Sequence, residues 1–200
     1  HGTDSFNYKI TQGDKTSSAL VSLTINPVND APVIDIASTI SVDENQTSVT
    51  TVSVSDPDED DLTLSVGGTD ATSFNLSSDN ILTFKEAPDY EAKNAYSISL
   101  SLTDGAETVT KSLTINITNV NDNSPVITSD ATFTAAENQI AIGTVTAADS
   151  DGDVVAFTIS GTELAITSAG VLTFVTSPDY ENKSSYTATI TATDGLYAVT

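Results

Sequence analysis

The sequence predicts an all-β protein, a linear array of β-sandwich domains, from three observations: period-two alternation of polar and apolar residues, turn signals between the alternating runs, and an internal repeat. The alternation runs through "SALVSLTIN", "YSISLSLTD", "TVTKSLTINIT" and "SYTATITATD", all dense in the Thr, Val and Ile that suit a half-buried pleated surface. Asp-Gly, Gly-Gly, Ser-Asp-Asn and Ser-Pro-Asp stand between such runs, where a sandwich needs tight turns.

The repeat sets the domain limits. "DENQ" at 43–46 returns as "AENQ" at 136–139, "SDPDED" at 55–60 as "ADSDGD" at 148–153, "ILTF…APDYE" as "VLTF…SPDYE", and "LTDG" as "ATDG", at intervals of 90 to 93 residues. One complete domain, the second repeat, is expected over 33–123 and another, the third repeat, over 124–200. The third repeat stops at "GLYAVT" where the second continues "ETVTKSLTINIT", so it is expected to lack most of its last strand. Residues 1–32 carry the last two strands of a further, partial domain and its linker "VNDAPV". With no initiating Met and no signal-like start, the chain reads as a window on a longer tandem array.

Composition excludes several classes. Six basic residues face 28 acidic ones, a net charge of -22, so nucleic acid and anionic membrane surfaces would be repelled. No apolar run is long enough to insert into a membrane. Without cysteine there is no disulfide framework and no thiolate metal site, and the lone His1 builds neither a zinc site nor a catalytic triad. The chain shows no nucleophile with a base and no phosphate-cradling Gly loop, and paired carboxylates such as Asp89 and Glu91 lack substrate-positioning groups, so no enzyme is expected.

The acids recur in register at strand ends and linkers, where scattered solubility charges would have no reason to do so. Crowded carboxylates destabilise a compact fold unless neutralised, and Ca2+ accepts about six to eight oxygens from Asp, Glu, Asn and backbone carbonyls on separate loops. Each repeat supplies such a set: a Glu near its start, Asp-x-Asp after its second strand, Asp-x-Glu in "PDYE", an Asp in "TDG", and the "NVNDNSPV" linker.

The order "xEN", "DxD", "DYE", "DG", "VNDNSP" resembles the cadherin repeat, and "VNDAPV" and "PDYE" resemble the cadherin-like repeats of large bacterial surface proteins. The resemblance covers nearly the whole chain and implies tandem Greek-key, cadherin/immunoglobulin-like sandwiches with Ca2+ shared at each junction. Carried over residue by residue, it implies one complete junction. Glu44, Asp89 and Glu91 come from the base of the 33–123 repeat, Asn121, Asp122 and Asn123 from the linker, and Asp149, Asp151 and Asp194 from the next repeat. Asn119 stands where the family usually has Asp, and Pro125 helps to set the linker's direction. A partial first junction would use Asp30, Asp56, Asp58 and Asp104 beside a linker one residue shorter. Glu137, Asp179 and Glu181 form a half-site for a further domain.

Other residues receive plainer readings. Asp60 and Asp61 are expected in solvent or an outer ligand shell, and Tyr90 and Tyr180 packed on the sandwich ends. Leu64, Phe74, Phe84, Ile98 and Leu100 are expected in the second core, and Phe157, Phe174 and Ile190 in the third. The resemblance implies a calcium-rigidified extender, or stalk, of an extracellular, cell-surface adhesin whose partners are its neighbouring repeats. The alternative is a calcium-dependent module that binds a polysaccharide or like domains on another cell. The absence of Trp and an aromatic content of 6% favour the stalk over a carbohydrate-binding face.

Overall fold

The computed structural model describes residues 2–200; His1, with its reading above, lies outside the described residues. The all-β class is borne out: a single short 3-10 turn at Ala71–Ser73 is the one helix among the described residues. The first two strands, β1 (Gly2–Gln12) and β2 (Lys15–Ile25), form a hairpin in register from Gly2 opposite Ile25 to Gln12 opposite Lys15. Gly13 turns it with a φ of 60°.

The complete repeat contains β3 (Val33–Asp35), β4 (Thr39–Asp43), β5 (Ser48–Thr51), β6 (Ser53–Ser55), β7 (Thr63–Gly67), β8 (Phe74–Leu76), β9 (Ile81–Phe84), β10 (Ala95–Thr103) and β11 (Thr108–Thr118). Its sheets run β3-β6, β5-β9-β8 and β4-β11-β10-β7. Period-two alternation along β10 and β11 sends Ile98, Leu100, Leu102, Leu113, Ile115 and Ile117 inward, all at 5% exposure or less. Each contributes about 1.5–3 kcal/mol by leaving water. Val52, Phe74, Leu82 and Phe84 are buried with them, while Leu64 is only half-buried.

The last repeat contains β12 (Val126–Ile127), β13 (Ala141–Thr144), β14 (Ala147–Ala148), β15 (Ala156–Ile159), β16 (Leu164–Ile166), β17 (Val171–Phe174), β18 (Ile190–Thr193) and β19 (Ala198–Val199). These pair as β12-β14, β13-β17-β16 and β15-β18-β19, so most of the second repeat's plan returns. Val145, Phe157, Leu172 and Ala192 form its core.

One sequence expectation falls short here, and a neighbouring segment shares the cause. "SYTATITATD" keeps only Ile190–Thr193 in a strand, and the segment 130–136, the counterpart of β4, is in none. In the second repeat β11 lies between β4 and β10, whereas here its counterpart β19 is two residues long, so both flanking segments lack a ladder partner. Phe174 and Ile190 are consequently half-buried. Tyr180 is corrected outright: it is 65% exposed rather than packed, beside Asp179 and Glu181, which are exposed too. Tyr90 is half-buried.

By its contacts the chain divides into two compact units, one holding a single acidic group and the other three. One comprises Ser41–Thr47, Glu86–Tyr96 and Ile115–Thr200; the other holds the remaining described residues. The base loops of the second repeat thus fall in the same unit as the linker and the third repeat.

Candidate metal centre

Glu44 sits at the end of β4, where its backbone N–H donates to Thr118 O at 3.1 Å. The next residue, Asn45, takes a left-handed φ of 64° and donates its backbone N–H to Pro88 O at 2.9 Å. Asn tolerates that φ, which explains the "EN" pair, and Asn138 repeats it at 62° with Pro178 as acceptor. This turn buries Glu44 to 3% exposure. A buried carboxylate needs partners, and it has them: Oε2 accepts from Tyr90 N at 2.7 Å and Oε1 from Val120 N at 2.8 Å.

Around it gather acids from three stretches of sequence. Carboxylate oxygens of Glu44, Glu91, Asp122 and Asp151 lie within 4.8 Å of one another, and Asp151 also groups in that way with Asp149 and Asp153. Asp151 is the hub. Its Oδ2 accepts from Asp122 N at 3.1 Å and Asn123 N at 2.9 Å, and its Oδ1 from Asn123 Nδ2 at 2.9 Å. The Asn123 amide and then these backbone N–H groups hold the Asp151 carboxyl below its usual value. Glu91 moves the other way: desolvation, then the charges of Glu44, Asp151 and Asp89, push it up. Asn45 Nδ2 donates to Asp122 Oδ2.

Five of the nine residues expected at this junction lie outside the four-carboxylate group. Asp89 instead accepts from Ala92 N through Oδ1 at 3.0 Å. Asp194 receives Leu196 and Tyr197 N–H on Oδ1, both at 2.7 Å, and Asp149 receives Asp151 N on Oδ1 at 3.0 Å. What these loops leave over is informative. Asn119 Oδ1, Asn121 Oδ1, Asp149 Oδ2 and Asp194 Oδ2 are buried with no hydrogen-bond partner. An orphaned buried oxygen is costly, and four of them on the linker and on acids expected as ligands fit a hard cation that would complete them.

The first junction repeats the pattern in smaller form. Asp58 Oδ2 accepts from Asp30 N at 2.7 Å, Asp56 Oδ1 from Asp58 N at 2.8 Å, and Asp104 Oδ2 from Asn29 Nδ2 at 3.0 Å. Asp56 Oδ2 is another orphan. Asp60 groups with Asp56 and Asp58 instead of standing apart, and desolvation followed by the charges of Asp56 and Asp58 raises its carboxyl. Asp60 and its counterpart Asp153 were missed as members of these groups; the signal was a third acid two residues on, as in "DSDGD". Glu137, Asp179 and Glu181 also come together, with Glu137 Oε2 accepting from Tyr180 N at 3.0 Å as Glu44 does from Tyr90.

A family model described as "Bacterial Ig domain" matches residues 29–118. Mouse protocadherin Fat 4 is 36% identical over 130 residues, which is 58% of this chain and 3% of that protein. Human protocadherin gamma-A10 is 32% identical over 206 residues, 90% of this chain and 22% of that protein. The chain thus spans a small part of the relatives it matches. Among solved structures, extracellular cadherin domains 3-6 of protocadherin gamma B2 superpose with a TM-score of 0.74 at 21% identity, covering 98% of this chain and 54% of that one.

Proposed function

From a chain that is built of cadherin-like, immunoglobulin-like repeats, we propose that this segment is a calcium-stiffened spacer in an extracellular adhesin or surface appendage, bacterial by its "VNDAPV" and "PDYE" motifs. The repeats would be 33–123 and 124–200, preceded by the partial domain 1–32. One observation carries the reading: buried oxygens without partners stand on Asn119, Asn121, Asp149 and Asp194, residues the resemblance assigns to the junction or its linker, and four carboxylates there, those of Glu44, Glu91, Asp122 and Asp151, group together. Glu44, Glu91, Asp122 and Asp151 would hold Ca2+ together with Asn121, Asp149 and Asp194, while Asp89 and Asn123 complete the surroundings. The bound ion would supply positive charge that turns mutually repelling acids into shared ligands.

The residues themselves do the rest. Glu44 bonds the first part of the linker to the base of its own repeat, and Asp151 bonds the later part. Asp30, Asp56, Asp58, Asp60 and Asp104 would make the weaker first junction, and Glu137, Asp179 and Glu181 a half-site.

Two measurements test the proposal. A site that binds only the folded state adds about 2.7 kcal/mol at 100 Kd, so the melting temperature should rise with millimolar Ca2+ and fall with a chelator. Small-angle scattering of residues 33–200 should show a longer, less variable particle with Ca2+. An unchanged melting curve after verified metal removal overturns the calcium site; a maximum dimension that ignores Ca2+ overturns the spacer.

A further inference from the structure

The turns "TDGAE" and "TDGLY" are built alike. Thr103 Oγ1 accepts from Gly105 N at 3.1 Å and donates to Glu107 O at 2.7 Å, and Thr193 Oγ1 treats Gly195 N and Tyr197 O in the same way at the same two distances. In each turn one aspartate oxygen accepts two backbone N–H groups, Asp104 Oδ1 those of Ala106 and Glu107 and Asp194 Oδ1 those of Leu196 and Tyr197. The turns part only at the second oxygen. Asp194 Oδ2 is buried and unpartnered, whereas Asp104 Oδ2 accepts from the side-chain amide of Asn29.

The linkers part in the matching way. In the shared "VND", Asn29 stands where Asn121 does. Asn121 leaves its Oδ1 buried without a partner, while Asn29 turns its nitrogen to the carboxylate, Nδ2 lying 3.0 Å from Asp104 Oδ2 and 3.3 Å from Asp30 O. The Asn29 amide is the first cause that holds the Asp104 carboxyl below its ordinary value. The oxygen and nitrogen of an amide are nearly alike in size and exchange places when the group turns over. Turned over, Asn29 would bring its Oδ1 to the same 3.0 Å from Asp104 Oδ2. Two oxygens so close repel one another, yet a Ca2+ ion about 2.3–2.6 Å from each satisfies both.

We propose, resting on the calcium reading of the first junction, that Asn29 is a tethered stand-in for the ion: its N–H satisfies Asp104 while no metal is bound, and Ca2+ must turn the amide over before Asn29 and Asp104 can share it. Asn29 therefore sets the affinity of that junction, because the ion is gained only by breaking an existing bond to a charged acceptor. Every group in this switch lies between Asn29 and Glu107.

NMR of the full chain tests this through hydrogen exchange of the side-chain amide, whose signal is identified by its loss in Asn29→Asp. In chelator the Asn29 N–H should exchange several-fold more slowly than in millimolar Ca2+. Asn29→Asp replaces the N–H by a second carboxylate, so it should melt below the unchanged chain in chelator and gain more from Ca2+ than the unchanged chain does. A melting temperature of the unchanged chain that ignores Ca2+ overturns the stand-in and the calcium reading together. A melting temperature that rises with Ca2+ while the Asn29 exchange rate stays the same overturns the stand-in alone, as does a smaller gain by Asn29→Asp.

Discussion

Asn119 donates its side-chain N–H to the backbone carbonyl of Asp151 at 2.7 Å, and its own Oδ1 is left buried and unpaired. One amide thus ties the linker to the next repeat's acidic loop while offering a free oxygen beside it. Asn119→Asp gives up the amide donor and adds a charge. Calcium affinity, read by calorimetric titration, should rise several-fold, since ligand charge sets Ca2+ affinity. In chelator the same variant should melt below the unchanged chain. Weaker calcium binding by Asn119→Asp would show that Oδ1 faces no ion.

Glu44 is the buried carboxylate of the cluster, with both oxygens accepting backbone N–H groups. Glu44→Ala would strand the N–H groups of Tyr90 and Val120 and cost about 2–5 kcal/mol even without metal. Glu44→Gln keeps one oxygen acceptor and should cost less. Urea denaturation in chelator measures both, and equal stability of Glu44→Ala and the unchanged chain would mean that these bonds contribute nothing.

Asp122 and Asp61 separate a proposed ligand from a bystander. Asp122 belongs to the four-carboxylate group and Asp61 to none of the acidic groups among the described residues. Asp122→Ala should lower calcium affinity at least tenfold, and Asp61→Ala should change it little. The assignment is wrong if calorimetry finds Asp61→Ala the more damaging.

How much of this site was legible in the sequence depended on whether a residue's role repeats. Glu44 and Glu137, with Asp-x-Glu and Asp-x-Asp, could be found because each copy shows the same residues at the same interval. The strands β10 and β11 could be found because both of their neighbours are present and alternation alone decides which side chains turn inward. The third repeat's ragged strands could not, since 130–136 and 185–189 have suitable composition but no partner, and β-propensity is a property of a paired surface. Asp60 escaped although the third acid of each Asp-x-Asp-x-Asp run was visible, because a lone further acid on a loop is more often solvated than drawn back toward Asp56, as it is here.

Acidity should weaken the junction in a stated order. Glu91 is pushed above its ordinary 4.5 by desolvation and by Glu44, Asp151 and Asp89. A raised folded value means that this group's contribution is fully favourable below 4.5 and is lost as pH rises through the raised value, so in chelator it opposes folding at neutral pH. Asp151, held low, stays ionised throughout that window. A calcium ion held there would need the Glu91 carboxylate, so affinity should climb as pH rises above the ordinary 4.5, with release of protons. Titration in two buffers of different ionisation enthalpy reads both effects, and affinity that falls as pH rises would contradict them.

The linker is gripped at both ends by carboxylates that accept from its backbone: Glu44 from the N–H of Val120, and Asp151 from those of Asp122 and Asn123. Only the Asn121 amide lies between the two grips. Torsional freedom in the metal-free chain is therefore concentrated in the few bonds around Asn121, which makes that residue a swivel pin rather than one point along a slack tether. A pulling force along the chain would first load these two sets of amide-to-carboxylate bonds, one on each side of the pin.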